Sequence, residues 1–404
     1  MSESREYIVV SAPGKVILHG EHAVVHGKMA LAGSLNLRTS VRLKKSASTQ
    51  LTAVFTDIGR LGISWPMNDA FIQLFNSHAG DPMKPCPPTD DVLKSLFQLM
   101  DIPMMCKDTH DLAVISFLYL YVGILGKLSD PPVLDIEVRS HLPTGAGLGS
   151  SAAYSTCLAG ALLLYCGAIP QRPVSHDYNQ STVQWTKQEL NLINSWSYQS
   201  EVILHKKPSG IDNSTSTYGG SLSFQLGDMM QLGNIPQIRI LLTNTGVERS
   251  TKELVTNVFK RCENYVTVME PILQAIDAIS HRCQILLTDY SKTESNIEKI
   301  YCELQELVDI NQHLLASLGV SHPSIDQICA VTKQYKLSTK LTGAGGGGCT
   351  LTLIPPEFPE DKLKCLIEQI KKLGCDCFDT VIGGLGVLQH HPDDWKYLTG
   401  ALSY

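Results

Sequence analysis

Alternating apolar and polar positions mark the strands of this chain, and longer apolar stripes mark its helices. Tyr7 to Ala12 is short and rich in β-formers, and Pro13-Gly14 breaks it before a second strand-like run, Val16 to Leu18. The pattern predicts two strands hinged at a Pro-Gly turn with Lys15 at its mouth. Ala30 to Leu43 and Leu51 to Phe55 continue the β-rich pattern, and the Pro-rich stretch Gly80 to Thr89 reads as the least ordered part of the first half. Helical patterns follow at Asp91 to Leu99 and Asp111 to Gly126. Within the second, Leu112 to Gly126 carries no charge yet falls short of the ~18 to 20 residues that span a bilayer, which predicts a buried helix. A strand from Val133 to Arg139 then enters a glycine turn and a helix from Ala152 to Cys166.

Cys166 to Thr182, polar and interrupted by Pro170 and Pro173, reads as a surface insertion ahead of a long helix from Trp185 to about His205. Trp185 and Trp196 on that helix suit a core-facing stripe rather than a binding box. A strand at Ser221 to Gln225 precedes the polar stretch Gly227 to Pro236, the best candidate for a domain boundary. Beyond it the pattern predicts a strand at Ile238 to Thr243, helices filling Thr251 to Tyr335, and strands at Leu337 to Leu341 and Cys349 to Ile354. A helix at Glu360 to Leu373 and a strand near Asp376 to Ile382 complete the order. That order predicts an α+β chain of two domains, residues 1–232 and 233–392, the second a helix-backed antiparallel sheet.

Composition narrows the function classes. With 404 residues, 43% hydrophobic and 18% charged, the chain has material for two ordinary globular cores. A net charge of -6 argues against a partner such as nucleic acid that is held by general electrostatic attraction. The twelve cysteines are scattered without a C-x-x-C pair and no secretory signal opens the chain, which points to free thiols in a reducing compartment. The C-terminal Ala401-Leu402-Ser403-Tyr404 is not a Ser-Lys-Leu address, so the cytoplasm is the expected location, with peroxisomal association left open.

The richest chemistry lies in Leu142-Pro143-Thr144-Gly145-Ala146-Gly147-Leu148-Gly149-Ser150-Ser151-Ala152-Ala153, between a strand and a helix. Alternate glycines let the backbone bend around an anion, and the following helix aims its N–H groups and positive dipole end at the turn. The spacing G-x-G-x-G matches neither a P-loop nor a dinucleotide fingerprint, which demotes both, and no βαβ unit with a ribose-binding acid supports an NAD enzyme. A second run, Thr342-Gly343-Ala344-Gly345-Gly346-Gly347-Gly348, costs so much chain entropy that something must approach its backbone closely, unless it is a flexible hairpin loop. Asp212 in Pro208-Ser209-Gly210-Ile211-Asp212 taken alone suits a helix N-cap, and Glu201 taken alone suits a solvated helix face. His19, His22 and His26 have metal-like spacing but lack further ligands, so a substrate contact or loop packing is preferred to zinc.

Three segments together resemble the signature motifs of the GHMP small-molecule kinases: Pro13-Gly14-Lys15 with His19-Gly20-Glu21-His22-Ala23-Val24-Val25-His26-Gly27, the Gly145 to Ser151 turn, and Lys340-Leu341-Thr342-Gly343-Ala344-Gly345-Gly346-Gly347-Gly348-Cys349. The first resembles the mevalonate branch of that family, since galactokinases generally continue from Gly-Glu-His toward Thr-Asp. The resemblance spans most of the chain and implies a two-domain fold with the active site in the cleft between domains, ATP and Mg²⁺ as requirements, and mevalonate as acceptor. It makes Asp212 and Lys15 catalytic, with Ser151 and Glu201 as Mg²⁺ ligands. It assigns nucleotide binding to Lys15, Ser140, Gly145, Ala146, Gly147, Leu148, Gly149, Ser150, Ser151, Gly343, Gly345 and Gly346, and acceptor binding to Glu21, His22, Arg249 and Thr251. Relatives commonly carry Asn near the nucleotide where this chain has Asp57, and a carboxylate there accepts but does not donate. The resemblance also implies a homodimer and inhibition by farnesyl or geranyl diphosphate at the nucleotide site. A kinase for another small alcohol, or a nucleotide sensor on the same fold, are the competing readings; the intact set Lys15, Glu201 and Asp212 opposes the second.

Overall fold

The N-terminal alternation produces one strand, Ile8–His19, rather than two hinged at Pro13-Gly14. Its register against Ala30–Lys45 shifts between Pro13 and Lys15, and this bulge absorbs the proline's missing N–H without ending the strand. The computed structural model describes residues 7–400 except 59, 105, 107, 144, 175–184, 233–234 and 291–296. Among these, twelve strands form one sheet whose long spine is Ala30–Lys45. One flank adds Leu134–Ser140, Gln50–Phe55 and Arg60–Pro66, with Gln50–Phe55 parallel to Leu134–Ser140. The other flank is antiparallel: Asp376–Ile382, Ile238–Asn244, Cys349–Leu353 and Thr339–Leu341. The two flanks join through Ile382 opposite Leu35, and Gly33 leaves room for the Ile382 side chain, which a Cβ at 33 would overlap.

Helices Thr109–Leu125, Ser150–Tyr165 and Lys187–His205 pack in the first core together with the first flank of the sheet. Thr109–Leu125 is buried from Ala113 to Leu125, as its uncharged run predicts. Val266–Tyr290 and Ile297–Ser317 share a second core with the antiparallel strands and with Leu142, Ala146 and Leu148 of the glycine turn. Leu388–His390 returns to pair with Val9, Val10 and Ser11 at the other end of the chain. No helix among the described residues is long and apolar enough to cross a membrane.

Several local expectations need correction. The Pro-rich stretch from Gly80 is fastened, not loose: Trp196 Nε1 donates to Pro82 O at 2.8 Å, Tyr119 donates to Cys86 O, and Lys127 pairs with Asp81 at 2.8 Å. Trp185 precedes the helix that Thr186 caps, and its indole N–H donates to Val387 O at 2.9 Å, so only Trp196 lies on the helix. The polar stretch after Gln225 contains strand Asp228–Gln231, the second arm of a hairpin with Ser221–Gln225. Helix Asp69–Ser77, capped by the Asn68 side chain, is an addition to the expected elements, although that cap and the buried Phe71 and Phe75 four residues apart are the signals for it. Residues 175–182 of the expected insertion after Cys166 lie outside the described residues.

Candidate active site

Gly145, Gly147 and Gly149 all take left-handed φ values of 72°, 78° and 71°, a conformation that side-chain-bearing residues resist. The turn therefore alternates: the glycines face a cavity while Ala146 and Leu148 are buried in the core beneath. Thr144 of this motif lies outside the described residues. Helix Ser150–Tyr165 starts directly after Gly149, and no side chain caps it, so its N-terminal N–H groups and dipole face the turn unopposed. Beneath the turn, Lys15 N donates to Leu148 O at 2.8 Å, and a Cβ on Gly149 would come 2.8 Å from Lys15 Cγ. Strand and turn thus interlock.

Two cavities meet at this place. One, of about 320 Å³, is walled by Ser140, Gly145, Gly149, Ser150 and Ser151, with Leu112 and Tyr154 giving it an apolar side. The other, a cleft of about 970 Å³, is walled by Lys15, Glu21, His22, Arg249, Thr251 and Gly343. Gly147, His205 and Asp212 line both. Helix Ile211–Tyr218 begins at Gly210, in left-handed conformation, which makes Asp212 its second residue rather than its cap and removes the capping interpretation. The Asp212 carboxylate instead meets Lys15, Nζ to Oδ1 3.1 Å, with side chains 36% and 10% exposed.

Beside this pair, Glu201 projects from Lys187–His205 with its side chain only 2% exposed. Ser151 donates to its Oε2 at 3.2 Å and Ser155 to its Oε1 at 3.3 Å. Burial, reinforced by the nearby Asp212 charge, pushes the Glu201 carboxyl up to about 8. A cation would reverse that penalty, and a hydroxyl plus a carboxylate are hard oxygen donors of the kind Mg²⁺ accepts while keeping water and phosphate oxygens. Among the described residues no three His, Cys, Asp or Glu side chains converge as a ready-made metal cage. His205, one turn after Glu201, was missed by sequence reasoning: its Nε2 lies 3.0 Å from Ser151 Oγ and 3.7 Å from Glu201 Oε2. Its i,i+4 spacing from Glu201 is the signal that finds it.

The remaining expected residues divide. Ser140 lines the smaller cavity, its hydroxyl 2.9 Å from Thr39 Oγ1. Asp57 lines it too, but Oδ2 accepts from Ser140 N at 2.7 Å and from Arg139 Nε at 3.2 Å, so this carboxylate is already neutralised. Glu21 lies beside the cleft with its side chain fully buried against Lys340, which donates to it. His22 Nε2 lies 2.8 Å from Ala344 O and its Nδ1 is buried without a partner. His19 accepts from Asn311 at 3.1 Å and His26 stacks on Phe259 at 4.3 Å, so the three histidines go separate ways. Arg249 Nη2 donates to Ala146 O at 3.0 Å. Of the second glycine run only Gly343 and Ala344 reach the cleft; Gly345 and Gly346 line neither cavity.

Comparison with known proteins places this geometry. Residues 114–220 match the family model for the GHMP kinases N terminal domain and residues 297–372 that for GHMP kinases C terminal. Mevalonate kinases of Homo sapiens and Bos taurus are each 44% identical over 385 residues, covering 95% of this chain and 95% of the relative. The crystal structure of the Methanococcus jannaschii mevalonate kinase shares the fold, with a TM-score of 0.65 at 23% identity over 93% of this chain and 98% of that one. With both sheet flanks, the glycine turn and the Lys15–Asp212 pair in the positions described, this chain belongs to the mevalonate kinase family of GHMP kinases, which are ATP-dependent small-molecule kinases.

Proposed function

We propose that this protein transfers the γ-phosphoryl group of ATP to the 5-hydroxyl of mevalonate, giving 5-phosphomevalonate and ADP in isoprenoid and sterol biosynthesis. The observation that carries this reading is the meeting of a glycine-walled cavity and a cationic cleft at one carboxylate, Asp212. ATP occupies the smaller cavity with its phosphates on the Gly145 to Ser151 backbone, and the acceptor occupies the cleft with its carboxylate toward Arg249 and Thr251. Asp212 takes the hydroxyl proton, and Lys15 beside it steadies the charge of the group in flight. Ser151 and Glu201 would hold Mg²⁺, which neutralises phosphate charge when bound. His22 lines the cleft on the acceptor side.

The family resemblance supports residues 1–232 and 233–392 as the two domains, a homodimer, a cytoplasmic location, and farnesyl or geranyl diphosphate as competitors for the nucleotide cavity. The apolar wall at Leu112 and Tyr154 beside the glycine turn suits a prenyl chain next to a diphosphate. An ADP-release assay with mevalonate, galactose and homoserine side by side decides the acceptor: turnover is expected with mevalonate alone, and equal turnover with another alcohol contradicts the assignment. Run at varied ATP, the same assay reads farnesyl diphosphate inhibition, which is expected to be competitive; a purely noncompetitive pattern rejects that part.

A further inference from the structure

The second glycine run is approached closely, but by the protein's own chain. Gly345, Gly346, Gly347 and Gly348 all hold left-handed φ values of 72°, 66°, 118° and 67°. A Cβ on Gly345 would overlap the Val320 carbonyl, one on Gly346 would lie 2.8 Å from Leu254 Cδ1, and one on Gly347 would lie 2.6 Å from Val247 Cβ. One on Gly348 would coincide with Arg249 Nη1. Across the guanidinium, a Cβ on Gly147 of the phosphate turn would overlap Arg249 Nη2. Arg249 is therefore wedged between the two glycine motifs, in a space that exists only because both positions lack side chains. Thr245 N donates to Gly348 O at 2.8 Å and fixes the segment that carries Arg249 onto the run. Nη2 is satisfied by Ala146 O at 3.0 Å, whereas Nη1 is buried without a hydrogen-bond partner and Arg249 lines the acceptor cleft.

We propose that Gly348, with Gly147, is a specificity determinant for the acceptor: the pair forms a slot that holds the Arg249 guanidinium in place at the edge of the acceptor cleft. The proposal rests on the reading above that Arg249 receives the acceptor's carboxylate. A long side chain pinned in advance loses less freedom when the anion arrives, so the slot favours acceptors that carry a carboxylate. Gly147 also belongs to the phosphate turn, whereas Gly348 lines neither cavity and acts through Arg249 on acceptor binding.

Kinetics of the full chain with mevalonate, together with binding of a fluorescent ATP analogue, test this on Gly348→Ala, Arg249→Ala and the double variant. Gly374→Ala serves as control, because Gly374 has the same left-handed strain at φ 81° and open space around its Cβ. Gly348→Ala is expected to raise the mevalonate KM by about tenfold or more while analogue affinity stays within about twofold. If Gly348 acts only through Arg249, the double variant is no worse than Arg249→Ala alone and melts above Gly348→Ala alone. The control keeps wild-type KM within about twofold. Equal loss of analogue affinity in Gly348→Ala, or additive losses in the double variant, overturns the slot; where Gly348→Ala folds too poorly to assay, a double variant with a higher mevalonate KM than Arg249→Ala alone overturns it. An unchanged KM in Arg249→Ala instead overturns the carboxylate reading beneath it, and a wild type that does not turn over mevalonate overturns both.

Discussion

Two lysine–carboxylate pairs tie together segments that lie far apart in this chain, and they differ in access to solvent. Lys15 and Asp212 meet at 3.1 Å on the wall shared by both cavities, with the carboxylate about a third exposed. Lys340 and Glu21 are both fully buried, with Asn311 Nδ2 also donating to Glu21 at 3.4 Å and Lys340 Nζ donating to Leu341 O at 2.8 Å. Burial pushes Lys340 down and Glu21 up, and the attraction between them opposes both shifts. An open pair can exchange part of its contact for a ligand. A sealed pair cannot, and its value lies in what it fixes, here the Gly20 to His22 turn against the strand that leads into the second glycine run. The family motif marks Glu21 and Asp212 alike, yet Glu21 is sealed against Lys340 while Asp212 stands on the wall of both cavities, and on that difference we propose a positioning part for the first and a chemical one for the second.

Breaking the sealed pair gives the largest expected stability effect. Lys340→Met leaves Glu21 buried and uncompensated, which costs about 3–5 kcal/mol in chemical denaturation. Adding Glu21→Gln recovers much of that loss, since a neutral pair needs no partner charge. If Lys340→Met unfolds at the same denaturant concentration as wild type, the pair does not hold the turn.

Glu201 gives a smaller, pH-dependent effect. Its folded carboxyl titrates at about 8, above the ordinary value of 4.5. The stability tied to its protonated form is present below about pH 4.5 and is lost as pH rises through about 8, at up to about 1.4 kcal/mol per pH unit. Metal-free protein is therefore expected to melt progressively lower from pH 5 to 8, and Mg²⁺ to restore the melting temperature at pH 8. Glu201→Gln should flatten the slope, raise the melting temperature at pH 8 and lose turnover. A slope unchanged by Glu201→Gln assigns the pH dependence to another group.

The sequence pattern carried most of the strand positions, the helices and the glycine turn because each depends on neighbours within a few residues. Helix Ser150–Tyr165 and strand Leu134–Ser140 were legible from apolar periodicity and from Gly145, Gly147 and Gly149. Pro13-Gly14 misled, because a bulge opposite Arg38 lets the strand continue where local propensity ends it. Long-range partners were not legible. Lys340 lies 319 residues from Glu21, and nothing near Gly348 in sequence announces that Arg249 fills the space of its missing side chain. The phosphate turn was legible from its glycine spacing, and Lys15, Asp212 and Glu201 only from the family resemblance, whereas His205 needed the helix to show that it reaches Ser151.

The central claim is that the open pair does the chemistry and the sealed pair holds the structure, and the most direct measurement is kcat and melting temperature for Asp212→Asn and Glu21→Gln side by side. Asp212→Asn is expected to lower kcat by about 10² to 10⁴ with little change in KM. Its melting temperature should stay close to wild type, because a partly exposed ion pair contributes about 1 kcal/mol or less. Glu21→Gln is expected to lower the melting temperature markedly and to keep most of the turnover. A folded Asp212→Asn that retains more than about a tenth of wild-type kcat, or a Glu21→Gln that melts like wild type while losing as much turnover as Asp212→Asn, contradicts the account.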